Sequence, residues 1–565
     1  MRVIEEEEID LYKEFRGKIN QTIKDSSEEE NLEKEKKKFE KELSQIRDRR
    51  RKFRAMLYDS LVERDNIIKA HLERAQERRM IVEKTHELDP NNNGVDVFLF
   101  LLFLIQIAII ICYIIFLKFP NAAITPPLVA TNNTQQIFDS KSHSFSELKK
   151  RTLHEQSIAQ RTNPDGEYLD FYYISQSDFT YAHYVNIAMM VFIGFNLFMS
   201  LLKKFAWGTL GLNLLIGSFA IQWGILCHVF FMWAFKGNFT KVAFTLDVLI
   251  HGAFVAAACL ISHASLLGRI NEVQSIVLVF LEVIGYTVNF NIGQTIGVRD
   301  PGGASWIFLF ASSLGFVAAW VYSLTDKNHE NDVKENRSYS YWQGGYALMG
   351  AIVIWIMFPS FNSVFAPIGT QSRVIGVTVL SLAASTVSAI AVGHLLHGSY
   401  FIKTFINATL TGGIIAASGI SLVVDAYSAM IVSAFVAAFI TVLSDWVIRP
   451  KLEENAKLID TQGIFGTIFL SSVIACIVGI IALASPDRTE SFSAQFSNIL
   501  NNGFSGQAKR NTATAFISLG IGVGSGLIIG LVLALFRNND GPSPSPYYTD
   551  DIIFKTPMPD DFDDF

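Results

Sequence analysis

The sequence predicts an all-α polytopic membrane protein with about twelve transmembrane helices, preceded by a charged helical arm. Two observations lead to this fold class. From position 96 to position 536 the chain is a succession of apolar runs of roughly 18 to 25 residues, the length that crosses about 30 Å of hydrocarbon. Charged residues make up only 18% of the chain and are concentrated near its two ends.

Residues 1–90 differ in composition from the rest of the chain. Charges of both signs alternate from Glu5 to Leu88, and sparse apolar residues follow one another in steps of three and four. This spacing indicates one or two amphipathic helices, although a slip near Arg50 interrupts a regular coiled-coil heptad. Asp89–Gly94, with a proline and three asparagines, is typical of a helix stop. We predict a cytoplasmic, coiled-coil-like arm over 1–90 with an unknown partner.

The apolar runs define a transmembrane domain over 95–536. The predicted spans are 96–118, 184–203, 207–233, 247–268, 272–292, 302–324, 342–363, 371–397, 402–422, 426–448, 461–485 and 509–536. The short connections that carry lysine and arginine all fall on one side of these spans, and the positive-inside rule makes that side cytoplasmic. Both termini then lie in the cytoplasm. Residues 537–565, which are proline-rich and then acidic, are predicted to form a flexible tail.

The same topology places the long segment 119–180 outside the cytoplasm. It contains the sequon Asn132-Asn133-Thr134, and a second sequon begins at Asn238 in a short outer connection. Asn132 and Asn238 are therefore candidate glycosylation sites. The sequence contains no phosphate loop, no Ser/His/Asp pattern and no cysteines at metal-ligand spacing, so we expect neither an enzyme nor a cofactor. Its net charge of −6 does not indicate a nucleic-acid partner.

A single carboxylate stands at the start of the predicted span 302–324. An acid in lipid is costly, so Asp300 is either functional or bound by a specific partner. Since Gly302 and Gly303 follow it, Asp300 could also accept backbone N–H groups at the start of the helix. Two helical turns after Asp300, the residue that faces the interior should indicate the chemistry of this helix. That residue is Phe308, whose side chain is apolar.

Several motifs, in the same order over about 180–550, resemble the Rhesus glycoproteins of the ammonium transporter superfamily. An additional first span and an outer segment before the core are also similar to the Rhesus branch, whereas the N-terminal arm lies outside the resemblance. The motifs are Phe192-Ile193-Gly194-Phe195, Gly211-Leu212-Asn213-Leu214-Leu215, Asp300 with Gly302-Gly303, Phe358-Pro359-Ser360-Phe361-Asn362-Ser363, Ser381-Leu382-Ala383-Ala384, Asn407-Ala408-Thr409-Leu410 and Asp460-Thr461 with Gly463.

The resemblance implies a trimer in which each subunit holds a narrow pore between two inverted halves. Ammonium would be collected at an outer vestibule, pass stacked phenylalanines and lose its proton. Neutral ammonia would then pass two histidines in a hydrophobic lumen. By this resemblance the phenylalanine gate corresponds to Phe254 and Phe361, and the acid near the pore mouth corresponds to Asp300.

Both histidines are absent at the corresponding positions of this chain. The first falls at Phe308, eight residues after Asp300, and the second at Ile468, eight residues after Asp460. Phenyl and sec-butyl groups supply neither a hydrogen bond nor a proton relay. His251 lies three residues before Phe254 on the same predicted helix face, which makes it a candidate for the outer vestibule.

Three hypotheses follow for the function. The chain is a degenerate Rhesus-type protein with little ammonium flux, kept as a trimeric scaffold or accessory subunit. Alternatively, it is a channel that conducts neutral ammonia or carbon dioxide through a hydrophobic lumen. In the third hypothesis it is a sensor or anchoring subunit whose arm recruits partners. The first and third overlap, and we favour them over the second. We expect a lipid-embedded homotrimer or heterotrimer with a related subunit, in the plasma membrane or an organelle.

Overall fold

The structure is a computed structural model. Its description covers residues 13–14, 16, 33–34, 36–49, 51–52, 92–118, 179–203, 205–237, 242–325, 341–367, 370–397, 402–423, 426–437, 443–484, 503–536 and 550. The chain divides into two compact units, Met1–Leu102 and Phe103–Phe565.

In the first unit, the described residues between positions 33 and 52 are helical. Leu43 and Ile46, three residues apart in the apolar pattern, are buried with 8% and 6% of their surface exposed. An exposed ion pair at i,i+4 spacing joins Lys52 to Asp48 at 3.1 Å. This pattern of apolar and paired charged residues is the one that an amphipathic helix requires.

The described part of the chain is almost entirely helical. From the first unit to position 324 the helices are α1 (Asn92–Phe116), α2 (Phe179–Met189), α3 (Asn196–Met199), α4 (Ala206–Lys236), α5 (Leu246–Leu266), α6 (Glu272–Ile296) and α7 (Phe310–Leu324). The later helices are α8 (Tyr341–Ser363), α9 (Gln371–His397), α10 (Ile402–Ala416), α11 (Ile420–Val423), α12 (Ala426–Phe435), α13 (Arg449–Ala456), α14 (Leu470–Ala484) and α15 (Gly503–Leu535).

Two further kinds of element complete the architecture. Short π-helical turns occupy Met190–Phe195, Ala304–Leu309, Ser444–Ile448 and Phe465–Phe469. The strands β1 (Leu117–Lys118) and β2 (Val242–Ala243) pair in parallel, with Leu117 opposite Val242. They tie the end of α1 to the connection that enters α5.

Among the described residues, nine helical segments are long and apolar enough to cross a membrane. The other predicted spans coincide with α1, with α10 and α11, and with α12 followed by the π turn Ser444–Ile448. The prediction of an all-α, multi-pass membrane protein is confirmed. The helix α1 begins at Asn92, inside the segment that the sequence predicted as a linker.

Helix α5 lies at the centre of the second unit. In its apolar window 94% of the residues are buried, compared with 33% for the last helix, α15. Close contact of α15 with α7 depends on glycine. A Cβ atom at Gly522 would lie 2.7 Å from the carbonyl oxygen of Phe310, and one at Gly526 would lie 2.7 Å from that of Leu314.

One residue of the C-terminal segment is described. Asp550 is 3% exposed, and its Oδ1 accepts a hydrogen bond from the backbone N–H of Gly208. Gly208 lies in the first turn of α4, where the backbone N–H groups have no partner within the helix. A carboxylate from the C-terminal segment therefore supplies an acceptor at the start of a membrane-spanning helix.

Candidate functional site

The Asp300 carboxylate organises the start of the π turn Ala304–Leu309. It accepts the backbone N–H groups of Ala304 and Ser305 at 3.1 and 2.6 Å, and the Ser305 hydroxyl at 2.5 Å. The turn begins at Gly303, whose φ of +76° suits glycine. Asp300 lies in the connection between two spans and is 3% exposed. Burial raises its pKa to about 6, although these hydrogen bonds oppose that shift.

A second aspartate repeats this arrangement in the later part of the chain. Asp460 accepts the backbone N–H groups of Gly463 at 3.0 Å and Phe465 at 2.8 Å. Gly463, three residues after its aspartate, again has a positive φ, of +82°. It is followed by the π turn Phe465–Phe469. The same arrangement of a carboxylate, a glycine with positive φ and a π turn thus precedes both α7 and α14.

These π turns carry Phe308 and Ile468, the positions at which the family resemblance predicts two pore histidines. The two turns pack against each other, and Phe308 and Ile468 are buried, with 2% and 5% of their surface exposed. Phe308 and Ile468 are 160 residues apart in the sequence, yet they belong to one region of the interior.

Phe254 and Phe361 stack face to face next to this region. Their ring centroids are 4.1 Å apart, with an interplanar angle of 16°. Stacked rings at this distance leave no room for a molecule between them. The Phe308 ring lies 5.9 Å from both Phe358 and Phe361. We call the rings of Phe365, Phe254, Phe361 and Phe308 the aromatic column.

Two histidines adjoin the end of the aromatic column at Phe365. The rings of His251 and His228 stack with centroids 4.6 Å apart and an interplanar angle of 17°. His251 also lies 4.8 Å from the Phe365 ring, which in turn lies 4.7 Å from Phe254. His251 is 7% exposed, so it belongs to the packed interior beside the stacked phenylalanines.

Asn362, next to Phe361 of the aromatic column, links α8 to α9 and α10. Its Nδ2 donates hydrogen bonds to Thr378 Oγ1 at 3.1 Å and to the carbonyl oxygen of Gly413 at 3.0 Å. Gly302 lies against it, because a Cβ atom at Gly302 would be 2.2 Å from Asn362 Oδ1 and 2.6 Å from Ala417. This close approach explains why glycine follows Asp300 by two residues.

Three cationic side chains bind the segment that precedes the second π turn. Arg269 Nη1 donates to the carbonyl oxygen of Ile459 at 3.0 Å, and Arg449 Nη2 donates to that of Asp460 at 3.1 Å. Lys403 Nζ donates to the carbonyl oxygen of Thr461 at 2.9 Å. Three consecutive carbonyl groups are thereby held by charges from three different helices or connections.

Comparison with known proteins identifies the family. The Ammonium Transporter Family model matches residues 176–540. The chain belongs to the Ammonium Transporter Family. It is 32% identical over 394 residues to Rhesus-like glycoprotein B of Dictyostelium discoideum, covering 67% of this chain and 64% of that protein. It is 29% identical over 381 residues to Ammonium transporter Rh type C of Rattus norvegicus, covering 65% and 73%.

The chain thus matches less than two thirds of the length of the Dictyostelium relative. Among solved structures, its fold resembles Nitrosomonas europaea Rh50 with a TM-score of 0.54 and 22% identity, covering 68% of this chain and 93% of that one. A structure titled Sensor Amt Protein matches with a TM-score of 0.51 and 14% identity, covering 64% and 93%. The resemblance to the Rhesus glycoproteins that the motifs indicated is confirmed.

The predicted site residues divide into those that the structure describes, which lie near one another, and the two sequon asparagines, which it does not describe. Phe254, Phe361 and Phe308 lie together in the aromatic column, and His251 adjoins it. Asp300 lies at the start of the same π turn as Phe308. The two sequon asparagines, Asn132 and Asn238, lie outside the described residues. Among the described residues, no group of three His, Cys, Asp or Glu side chains is placed to hold a metal ion.

Three interior residues of this family member escaped the sequence analysis. His228 and Phe365 sit in apolar runs, and only the tertiary structure brings them to His251. Glu282 could have been identified from the sequence, because an acid within the predicted span 272–292 is costly in lipid. It is fully buried, with 0% of its surface exposed.

Proposed function

We propose that this family member forms a trimeric membrane scaffold or accessory subunit whose pore region is closed to ammonium by apolar side chains. The observation that carries the proposal is the packing of Phe308. It stands at the position of a pore histidine, is 2% exposed and contacts Phe358 and Phe361. A side chain that fills the interior at this point supports a closed route.

The physical chemistry of the aromatic column opposes the passage of a cation. Transferring an ionised ammonium into an apolar environment without partners costs many kcal/mol, with Born estimates in the tens of kcal/mol. Neutral ammonia would give up its hydrogen bonds to water, at roughly a few kcal/mol. Phe308 and Ile468 offer no hydrogen bond in return. This difference makes the neutral molecule the less unfavourable solute.

Conduction of neutral ammonia or carbon dioxide is the alternative. It is supported by the presence of both stacked phenylalanines, Phe254 and Phe361, and of Asp300 at the positions that the family resemblance assigns to a pore. Movement of the two rings by a few ångström would open a hydrophobic passage, which suits a solute without charge.

Flux measurements in proteoliposomes separate these alternatives. The closed-pore proposal predicts ammonia, methylammonium and carbon dioxide permeabilities equal to those of protein-free liposomes. The double substitution Phe308→His and Ile468→His should raise ammonia flux, because it places two hydrogen-bonding groups on the facing π turns. Phe310→His, a buried phenylalanine on the same helix next to Tyr286, is the matched control. Flux of the unmodified protein well above empty liposomes would contradict the proposal.

A bulky substitution at Gly412 or Gly466 is a poor choice for blocking this route. A Cβ atom at Gly412 would lie 2.2 Å from the carbonyl oxygen of Ser381, and one at Gly466 would lie 2.2 Å from Ser444 Oγ. Gly412 meets the backbone of Ser381 and Gly466 meets the side chain of Ser444, so larger residues at either position would disturb packing as well as flux.

The remaining features of the proposal concern assembly and topology. We propose a homotrimer or a mixed trimer with a related subunit, both termini in the cytoplasm, and an arm over 1–90 that binds a cytoplasmic partner. The membrane domain would extend over 95–536, with 119–180 outside the cytoplasm and 537–565 as an acidic tail.

Deleting residues 1–88 should change the location or the assembly of the protein while the trimeric core persists. Imaging measures the location, and native mass spectrometry measures the assembly. Unchanged behaviour in both would count against a recruiting arm.

A further inference from the structure

Glu282 is a buried acid in the middle of a membrane-spanning helix. It lies on α6, and 0% of its surface is exposed. Its Oε2 accepts a hydrogen bond from the hydroxyl of Ser262 on α5. Its Oε1 has no hydrogen-bond partner among the described residues. The carboxyl is therefore anchored through one oxygen only.

The polar atoms around this carboxyl form a row along the contact of α5 and α6. Cys259 on α5 is fully buried, and its carbonyl oxygen lies 3.0 Å from Ser262 Oγ. Tyr286 follows Glu282 by one turn of α6. Within the described structure, the hydroxyl of Tyr286 and the Nδ1 atom of His263 are buried without hydrogen-bond partners. Because buried polar atoms are almost always paired, several unpaired atoms along one helix contact indicate a function or bound water.

Among the described residues, Glu282 forms no ion pair with a cationic side chain, and the hydrogen bond to its carboxyl comes from Ser262. The helix α15, which also packs against α6, has no titratable side chain from Asn511 to Leu535. Three further elements pack against α6. The titratable residues are Cys227, His228 and Lys236 on α4 and Asp247, His251, Cys259 and His263 on α5, and the π turn Ala304–Leu309 has none. An ionised carboxylate in such surroundings is expensive, whereas a carboxylic acid carries no charge and gains a donor.

The row adjoins the aromatic column. The Tyr286 ring lies 6.3 Å from the Trp306 ring, and Trp306 lies 6.0 Å from Phe254. Tyr286, one helical turn after Glu282 on α6, thus links the neighbourhood of Glu282 through Trp306 to the aromatic column. A change of charge at Glu282 would change the electrostatic potential at the aromatic column, since charges interact over longer distances in a medium of low dielectric constant.

We propose that Glu282 is an intramembrane proton-binding site, held by Ser262 and reached along the polar row of Cys259, Tyr286 and His263. The ligand is a proton delivered by hydronium. An O–H bond of hydronium breaks, leaving water, and an O–H bond forms at the free Oε1 of the carboxylate. Release reverses these steps with water as the acceptor. This site does not depend on whether the aromatic column conducts a solute.

Infrared spectroscopy of the full-length protein in liposomes tests the proposal. The carbonyl band of a protonated carboxyl should be present near neutral pH, disappear in Glu282→Gln and be lost reversibly in alkaline buffer. Glu272→Gln makes the same change on the same helix, at a residue that is partly exposed to solvent, and should leave the band in place. Persistence of the band at every pH at which the protein stays folded would overturn the proposal, as would an unchanged spectrum in Glu282→Gln.

A second variant keeps the test decisive if Glu282→Gln does not fold. Ser262→Ala removes the hydrogen bond to Oε2 and should shift the frequency of the same band while leaving its pH-dependent loss. A spectrum identical to that of the unmodified protein, in band position and in titration, would show that the band arises from another acid and would overturn the assignment.

Discussion

Lys403 donates a hydrogen bond from Nζ to the carbonyl oxygen of Thr461, 2.9 Å away, and only 4% of the lysine is exposed. This contact joins α10 to the segment that leads into the second π turn. Together with Arg269 and Arg449 it fixes three consecutive carbonyl groups. The position of Ile468 thus depends on charges that lie far from it in the sequence.

Lys403→Met should lower the stability of the protein. The substitution keeps the apolar stem and leaves the Thr461 carbonyl without this donor, which costs about 1–3 kcal/mol. Thermal unfolding in detergent should therefore occur at a lower temperature. Lys451→Met, at an exposed lysine of α13, is the control and should change the midpoint little. Equal midpoints for both variants would refute the stabilising role of Lys403.

Asp300→Ala should destabilise the protein more than Asp460→Ala does. Asp300 accepts three hydrogen bonds and Asp460 accepts two, at otherwise equivalent helix starts. Hydrogen bonds to a charged group contribute about 1.5–3 kcal/mol each. The comparison uses unfolding midpoints of the two variants in one detergent. A larger loss for Asp460→Ala would contradict the expectation.

Two glycines of α15 provide a matched pair for the close contact with α7. A Cβ atom at Gly522 would meet the Phe310 carbonyl oxygen, whereas one at Gly520 would meet nothing within 4 Å. Gly522→Ala should cost about 1–3 kcal/mol through overpacking. Gly520→Ala should be neutral or stabilising by up to about 1 kcal/mol, because alanine favours the helix. Unfolding midpoints in detergent measure both effects. Equal effects would mean that α15 does not pack in this register.

The predicted outer face of the membrane domain can be checked through two sequons, one in the segment 119–180 and one in the short connection that contains Asn238. If 119–180 faces the lumenal side during synthesis, endoglycosidase treatment should reduce the mass of the protein. Asn132→Gln and Asn238→Gln should each remove one step of that reduction. Thr134→Ser keeps the first sequon and is the control. A mass that does not change with any of these treatments would speak against glycosylation at both positions.

Local patterns were sufficient for much of the fold and for part of the candidate site. Apolar runs of membrane-spanning length predicted the helices, since every span must satisfy its backbone within itself. The Asp300 motif predicted a helix start bound by its carboxylate, because a carboxylate and a glycine act within a few residues of each other, whereas the equivalent role of Asp460 was found in the structure. The identity of Phe308 and Ile468 was likewise readable from their offset to these aspartates.

Other features of the site depend on contacts between distant residues. His228 meets His251 only because α4 and α5 pack side by side. Gly412 lies within an apolar run, and the backbone of Ser381, which packs against it, leaves no room for a larger residue. Glu282 was visible as an acid within an apolar run, but its anchoring by Ser262 and its unpaired oxygen were not.

The order of residues was sufficient for the membrane class, the approximate spans and the family motifs, and it predicts that Phe308 and Ile468 replace two pore histidines. The folded chain was needed to see that Phe308 packs against Phe358 and Phe361, and that Glu282 lies buried with one oxygen unpaired among the described residues. The reason is physical. Hydropathy and helix starts arise from neighbouring residues, whereas packing and the satisfaction of buried polar groups depend on which distant side chains the folded chain brings together.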